Sequence, residues 1–258
     1  MKLAPKISLI LAILLLVGGT VQGFRAPNAE GFREPTLARI VFWHLPAAII
    51  GASLTLLSAY FAIRWFLKPE ARIHFYRLQA TWEIAAMLAM VGLVTGIVFS
   101  KAQWGAWWHW DPRQTSFLMV VLLLGAGQLL YQGLGEETRE RALAGYSLMT
   151  LLPTLFLTFV YPRLPQVQQA SFHPSQTVSN NGFDADHRSV LGIIMLGLIA
   201  YVYSIGTARV VRAQRQDDPN YGISDSSVHS ADSVLPESRP IRPEAISQES
   251  LEDAAPRS

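Results

Sequence analysis

Residues 104–116 read WGAWWHWDPRQTS: Trp104, Trp107, Trp108 and Trp110 fall within seven positions, and Asp111 and Arg113 follow at once. Indoles offer broad, flat, apolar surface with one polar N–H each. A carboxylate and a guanidinium beside them can pair with charged groups or cap a helix. The combination fits a large planar apolar ligand that carries acidic groups, with Arg113 as their partner. Two plainer roles compete. Tryptophans gather in a belt at membrane interfaces, and an arginine there can simply be solvated by lipid phosphate. A belt is spread around helix ends, however, and accounts poorly for four indoles in one short loop. If residues 101–110 form a helix, Trp104, Trp107, Trp108 and Asp111 fall at i, i+3, i+4 and i+7, a single aromatic face lying on the membrane surface. Asp111 precedes Pro112, which pushes its backbone out of the helical region. A new helix can start there, with Asp111 as N-cap, Pro112 first inside and Gln114 completing a pattern like a capping box.

The chain has six histidines. His229 and His74 read as solvated surface, and His109 lies off the expected aromatic face and points at water. His44, in Val41-Phe-Trp-His-Leu-Pro46, sits at the boundary of an apolar block, with Pro46 in a first helical turn. An ionisable side chain at that level is a functional candidate, although a hydrogen bond to a neighbouring carbonyl would also account for it. His173, in Ser171-Phe-His-Pro174, is either an ordinary loop histidine or a ligand. His187, in Asp184-Ala-Asp-His-Arg188, is its rival. Two neutral imidazoles on either side of an aromatic platform would suit the iron of a haem.

These residues need elements to position them. Half of the 258 residues are apolar and only 16% are charged; the mean hydropathy is +0.25. The apolar residues come in long blocks, the signature of membrane-spanning helices. Six spans are expected: Ile7–Val21, Ile40–Phe66, Gln79–Phe99, Pro112–Leu134, Leu143–Tyr161 and Ser189–Ala208. The first has a signal peptide as its rival, with Lys2 and Lys6 ahead of it and the small residues Gly18 and Gly19 near its end, but no Ala-x-Ala-like cleavage site stands out. The second span would be roughly 40 Å long, more than the ~30 Å hydrocarbon core, so it must tilt or project. Glu83, near the start of the third, is either an interfacial helix charge or an intramembrane acid with a function.

Basic residues orient the bundle. Lys2, Lys6, Arg64, Lys68, Arg72, Arg77, Arg139, Arg141, Arg209 and Arg212 flank one side. Arg25, Arg33, Arg39, Lys101, Arg113, Arg163 and Arg188 flank the other. The larger set puts both termini in the cytoplasm, so loops 22–39, 100–111 and 162–188 share the outer face. Residues 213–258 carry nine of the 19 acids and four of the 21 bases and are poor in aromatics. That composition predicts a disordered acidic cytoplasmic tail. The chain has no cysteine, which excludes disulfides, thiolate metal sites and thioether haem attachment. A net charge of +2 without a basic stripe predicts no nucleic-acid partner.

Trp104-Gly105-x-x-Trp108-x-Trp110-Asp111-x-Arg113-x-Thr115 resembles the tryptophan-rich "WWD" signature of the haem-handling proteins of cytochrome c biogenesis. The six-span layout over residues 1–212 is similar to the haem exporter protein C family (CcmC); the acidic tail falls outside the resemblance. The resemblance implies two outer-face axial ligands to haem iron. The first matches His44, in the setting His-x-Pro-Ala, and the second best matches His173, with His187 as the alternative. It implies that Trp104, Gly105, Trp107, Trp108, Trp110, Asp111, Arg113 and Thr115 form the segment that holds the haem plane and meets a chaperone. The implied protein is not an enzyme. It lies in the bacterial inner membrane, holds non-covalent haem b at the periplasmic face and hands it to the haem chaperone CcmE. Its implied partners are the one-span helper CcmD and the ATP-driven transporter CcmA with CcmB, besides membrane lipid. Nothing in the chain resembles a phosphate-binding loop. Three alternatives stand beside this expectation: a subunit of a cytochrome c synthase (CcsA-like), a membrane b-type cytochrome, and a haem-free scaffold anchored by its tryptophans. Spans three to six contain no histidine, whereas electron-transfer cytochromes usually take their ligands from within facing helices.

Overall fold

The computed structural model describes residues 3–29, 32–173 and 184–217, and all regular structure among them is helical. The helices are α1 (Leu3–Arg25), α2 (Val41–Leu67), α3 (Ile73–Trp104), α4 (Pro112–Gly133), α5 (Glu136–Met149), α6 (Leu151–Leu155), α7 (Pro165–Ala170) and α8 (Ala185–Gln216). Helices α1, α2 with the 3₁₀ turn Leu37–Ile40, α3, α4 and α8 are each long and apolar enough to cross a membrane. Helix α5 and the segment Leu151–Arg163 meet at a bend of 42° and together make a sixth, broken span.

The break explains why the fifth expected span, 143–161, is not one rod. Pro153 has no N–H to give the carbonyl of Met149, and the Thr150 hydroxyl bonds back to the Tyr146 carbonyl at 2.8 Å. The next turn, Phe156–Val160, is π-helical, and Pro162 follows in a 3₁₀ turn. Irregular turns of this kind are frequent at functional sites. Helices α3 and α8, at 32 residues each, outrun their expected apolar blocks, because helix-compatible residues such as Arg77, Lys101 and Arg212 carry the hydrogen-bond ladder past them. Residues 213–216, whose composition reads as the start of the tail, therefore belong to α8; the rest of the expected tail, 218–258, lies outside the described residues.

In lipid, helices gain little from burying apolar surface, so close approach and hydrogen bonds hold them together. A Cβ at Gly127 would lie 2.4 Å from the Trp82 ring. Only glycine there lets α4 close over that indole, whose Nε1–H donates to the Leu124 carbonyl at 3.1 Å. Helix α1 lies along α8: Gly19 faces Ile194, Gly197 faces Leu16, and the hydroxyls of Ser8 and Ser204 donate to carbonyls of Ala200 and Pro5 at 2.9 and 2.7 Å. Each such bond contributes about 0.6 kcal/mol on average in a membrane bundle. Ile10, Leu14, Leu122, Leu129, Leu196 and Ile199 face outward, which suits a lipid surround.

One end of the bundle is stitched by charge. Arg72 bonds Glu140 at 2.5 Å and Asp217 at 3.0 Å, and the Tyr76 hydroxyl donates to Asp217 at 2.5 Å. About two turns deeper, Glu83 of α3 pairs with Arg209 of α8 and accepts from Gln79 at 3.2 Å. Glu83 is thus a tie between two helices. The opposite end, where α2 begins and α3 ends, carries the tryptophan segment.

Candidate functional site

His44 lies on the first turn of α2, and Pro46, two residues on, falls in the second turn rather than the first. The His44 Nδ1 stands 3.0 Å from the Gly92 carbonyl and 3.2 Å from the Thr95 hydroxyl, both on α3. A carbonyl can only accept, so Nδ1 carries the proton and Nε2 keeps its lone pair. The neighbouring-carbonyl bond weighed for His44 is present, and it is also the bond that prepares a histidine to ligate through its other nitrogen. The approach depends on Gly96: a Cβ there would sit 3.1 Å from His44 Cε1.

The tryptophan segment departs from the continuous helix expected over 101–110. Helix α3 stops at Trp104, where Gly105 turns left-handed at φ 89° and its N–H closes the helix on the Lys101 carbonyl. Residues 105–110 are non-helical, and Trp110 itself adopts φ 56°, a conformation costly for a bulky residue. The single aromatic face therefore does not form. Trp104 turns inward, its ring 4.9 Å from that of His173 and 5.8 Å from that of Phe172. Trp108 packs on the core beside α4. Trp107 and Trp110 turn outward, 57% and 77% exposed; Lys101 reaches over the Trp107 ring. His109 does not point at water: its ring lies 5.0 Å from Phe172, and its Nε2 is buried with no hydrogen-bond partner among the described residues.

Asp111 is the hinge of the arrangement. It caps α4 as expected, its Oδ1 accepting the N–H groups of Arg113 at 2.8 Å and Gln114 at 3.2 Å. The same carboxylate reaches a segment 60 residues further on: it accepts the Ser171 hydroxyl at 3.1 Å and the Phe172 N–H at 2.6 Å. His173 Nδ1 lies 3.3 Å from Oδ1. Burial alone would push the Asp111 carboxyl up, yet the His173 imidazole, the Ser171 hydroxyl and the Phe172 amide hold it well below the usual carboxylate range. Arg113 Nη1 donates to the His173 carbonyl at 3.4 Å. The Thr115 hydroxyl is buried on α4 without a partner among the described residues.

A cavity of about 320 Å³ opens between α2, α3, α4 and the π-helical turn, within the usual size range of small-molecule sites. His44 and His173 both line it, with Arg113 and Arg163 and a mainly apolar wall that includes Ala48, Leu93, Phe117, Leu157 and Phe159. No tryptophan is among its lining residues; Trp104 supports His173 from behind. His187 is elsewhere. It is buried at the start of α8, its Nδ1 2.7 Å from Asp184 and its ring 5.6 Å from Phe42. The His187 N–H and imidazole hold the Asp184 carboxyl low. Phe117 and the Ser171–Phe172 anchor carry no local sequence signal, and Arg163 carries only that of a flanking charge. Phe117 and Arg163 are marked only by the cavity they line, and Ser171 and Phe172 only by a pairing with Asp111 about 60 residues away.

Among the described residues no three His, Cys, Asp or Glu side chains converge as a metal cage. A bare ion therefore has no set of donors. Two imidazoles on one apolar cavity are donors for a metal that is held mainly by a ligand of its own. The two arginines at the cavity suit carboxylates on the same ligand. Fold and site together define a multi-pass helical membrane protein with paired imidazoles at one end of the bundle. The chain belongs to the heme exporter protein C family, whose model matches residues 1–217. It is 27% identical over 207 residues to heme exporter protein C of Paracoccus denitrificans, covering 77% of this chain and 83% of that protein. It is 33% identical over 140 residues to the protein of the same name from Escherichia coli K12, covering 53% of each, and 28% identical over 134 residues to that of Rhodobacter capsulatus, covering 52% and 54%.

Proposed function

We propose that this protein is a haem-handling component of cytochrome c maturation. It holds haem b non-covalently between His44 and His173 at the periplasmic face of the bacterial inner membrane and presents it to the haem chaperone CcmE. The observation that carries the reading is the shared cavity: both imidazoles line it, His44 with its Nδ1 bonded to the Gly92 carbonyl, which leaves Nε2 for a metal, and His173 with its Nδ1 3.3 Å from the Asp111 carboxylate. Haem here is cargo. The iron supplies two axial positions, the apolar wall takes the macrocycle edge, and Arg113 and Arg163 take the propionates. The outward Trp107 and Trp110 form the surface that meets the chaperone, and Trp104 braces the His173 ring.

The excess of basic residues on the opposite loops supports the periplasmic placement, and membership of the exporter family supports CcmA, CcmB and CcmD as partners. A transport and assembly role is favoured over catalysis, and delivery over a cytochrome c synthase subunit, because the family match extends over residues 1–217. The test is the optical spectrum of the protein purified from haem-supplemented cells. A Soret band with low-spin features in the wild type, weakened in His44→Ala and in His173→Ala, supports the reading. A protein without a Soret band after supplementation supports the haem-free scaffold instead.

A further inference from the structure

Asp111 has more partners than a helix cap requires. An N-cap carboxylate uses one oxygen on the N–H groups of its own first turn, and Oδ1 does so here with Arg113 and Gln114. The side chain nonetheless is 0% exposed, and its second oxygen, Oδ2, receives the Phe172 amide at 2.6 Å. The Ser171 hydroxyl donates to Oδ1 as well. Two successive residues before His173 are thus tied to one carboxylate, and the third, His173, brings Nδ1 to 3.3 Å from it. His44 is held differently, its Nδ1 against a neutral backbone carbonyl of α3.

We propose that Asp111 is the positioning residue for His173: its carboxylate fixes the segment through Ser171 and Phe172, stands 3.3 Å from a His173 Nδ1 that has no hydrogen-bond partner among the described residues, and takes that Nδ1–H when Nε2 meets the cargo iron. The two axial ligands are therefore unequal. A carboxylate behind an imidazole raises its basicity, while a peptide carbonyl does so less. The His173 side is the stronger electron donor, and it is the side whose placement hangs on a single joint. The joint also couples the ligand to the tryptophan segment. Whatever moves Asp111 at the start of α4 moves His173, so a partner that presses on Trp107 or Trp110 has a route along the backbone, through Asp111, to the ligand. This inference rests on the haem reading above, and it concerns the residue behind the ligand.

The test compares Asp111→Asn, Ser171→Ala, His173→Ala and the Asp111→Asn/His173→Ala double variant in the full-length protein reconstituted with haem. Asparagine still caps a helix but carries no charge. The expected result for Asp111→Asn is a 10–100-fold loss of haem affinity, the usual effect of removing an outer partner. The midpoint potential of the bound haem should shift upward, and the ferric low-spin resonance should change. Ser171→Ala removes one anchor and keeps the charge, so its potential stays with the wild type. In the His173→Ala background, Asp111→Asn should add nothing to either reading. A wild-type potential in Asp111→Asn, or an equal shift without His173, overturns the proposal. A measurement without haem decides the anchoring independently. Amide exchange at Phe172 should speed up at least tenfold in Asp111→Ala, and unchanged exchange overturns it. If His44→Ala and His173→Ala both keep the wild-type haem spectrum, it is the haem site that fails, and the exchange experiment still judges the joint.

Discussion

His44 and His173 line the same cavity and are held in opposite ways. His44 stands on a regular helix, with its Nδ1 bonded to the backbone of the helix beside it. A glycine on that neighbour is cut to its shape. His173 follows α7 by three residues, in non-helical backbone, and the two residues before it are held by a side chain in another loop. A position fixed by two packed helices is set when the bundle folds. One fixed by a few hydrogen bonds between loops opens at far smaller cost. A protein that must both keep and surrender its cargo needs one ligand of each kind. On the proposed haem reading, the contrast would make His44 the fixed post and His173 the latch.

Breaking the fixed post should have the largest effect. In His44→Ala we expect haem affinity to fall by more than the ~10–100-fold typical of an outer-shell loss, with the remaining haem high-spin, as read by titration and optical spectroscopy. Next comes the pair of arginines. Arg113→Gln with Arg163→Gln should weaken haem binding by about 1.5–3 kcal/mol for each charge-assisted hydrogen bond removed. Mesoporphyrin with esterified propionates should bind wild type and variant alike. A subtler blow to the post is Gly96→Ala. Its Cβ would meet His44 Cε1 at 3.1 Å, so the ring must give by a few tenths of an ångström. The expectation is a several-fold loss of affinity, about 1 kcal/mol, without loss of thermal stability. The smallest effect belongs to the rival histidine. His187→Ala and Asp184→Ala should leave the haem spectrum unchanged and only loosen the start of α8. Because the Asp184 carboxyl is held low, its contribution to the helix start persists above the ordinary carboxylate pKa. It fades only as the pH falls through the lowered value, a trend that amide exchange at the start of α8 would follow.

What is legible in the sequence divides along the same line. The helical spans are written in long apolar blocks, and the cap at Asp111 in the dipeptide Asp-Pro, because both are local. His44 is legible as a boundary histidine for the same reason. The aromatic strip is not: a uniform helix over 101–110 ignores Gly105, whose left-handed turn ends α3 and splits the four indoles into two inward and two outward. The 42° bend in the fifth span is written in Pro153 but masked by apolar continuity. That His173 rather than His187 lines the cavity is out of reach of local pattern, because it depends on which loop meets Asp111 across 60 residues. Arg163 is visible only as a flanking charge, since the turn that carries it to the cavity is set by the broken helix before it.

The axial pair is the central claim. The most direct measurement is the electron paramagnetic resonance spectrum of the ferric haem-loaded protein, taken for the wild type and for His44→Ala, His173→Ala and His187→Ala. We predict a low-spin bis-imidazole signal in the wild type and in His187→Ala, and conversion to high-spin in each of the other two. A low-spin signal that survives His173→Ala and vanishes in His187→Ala would contradict it.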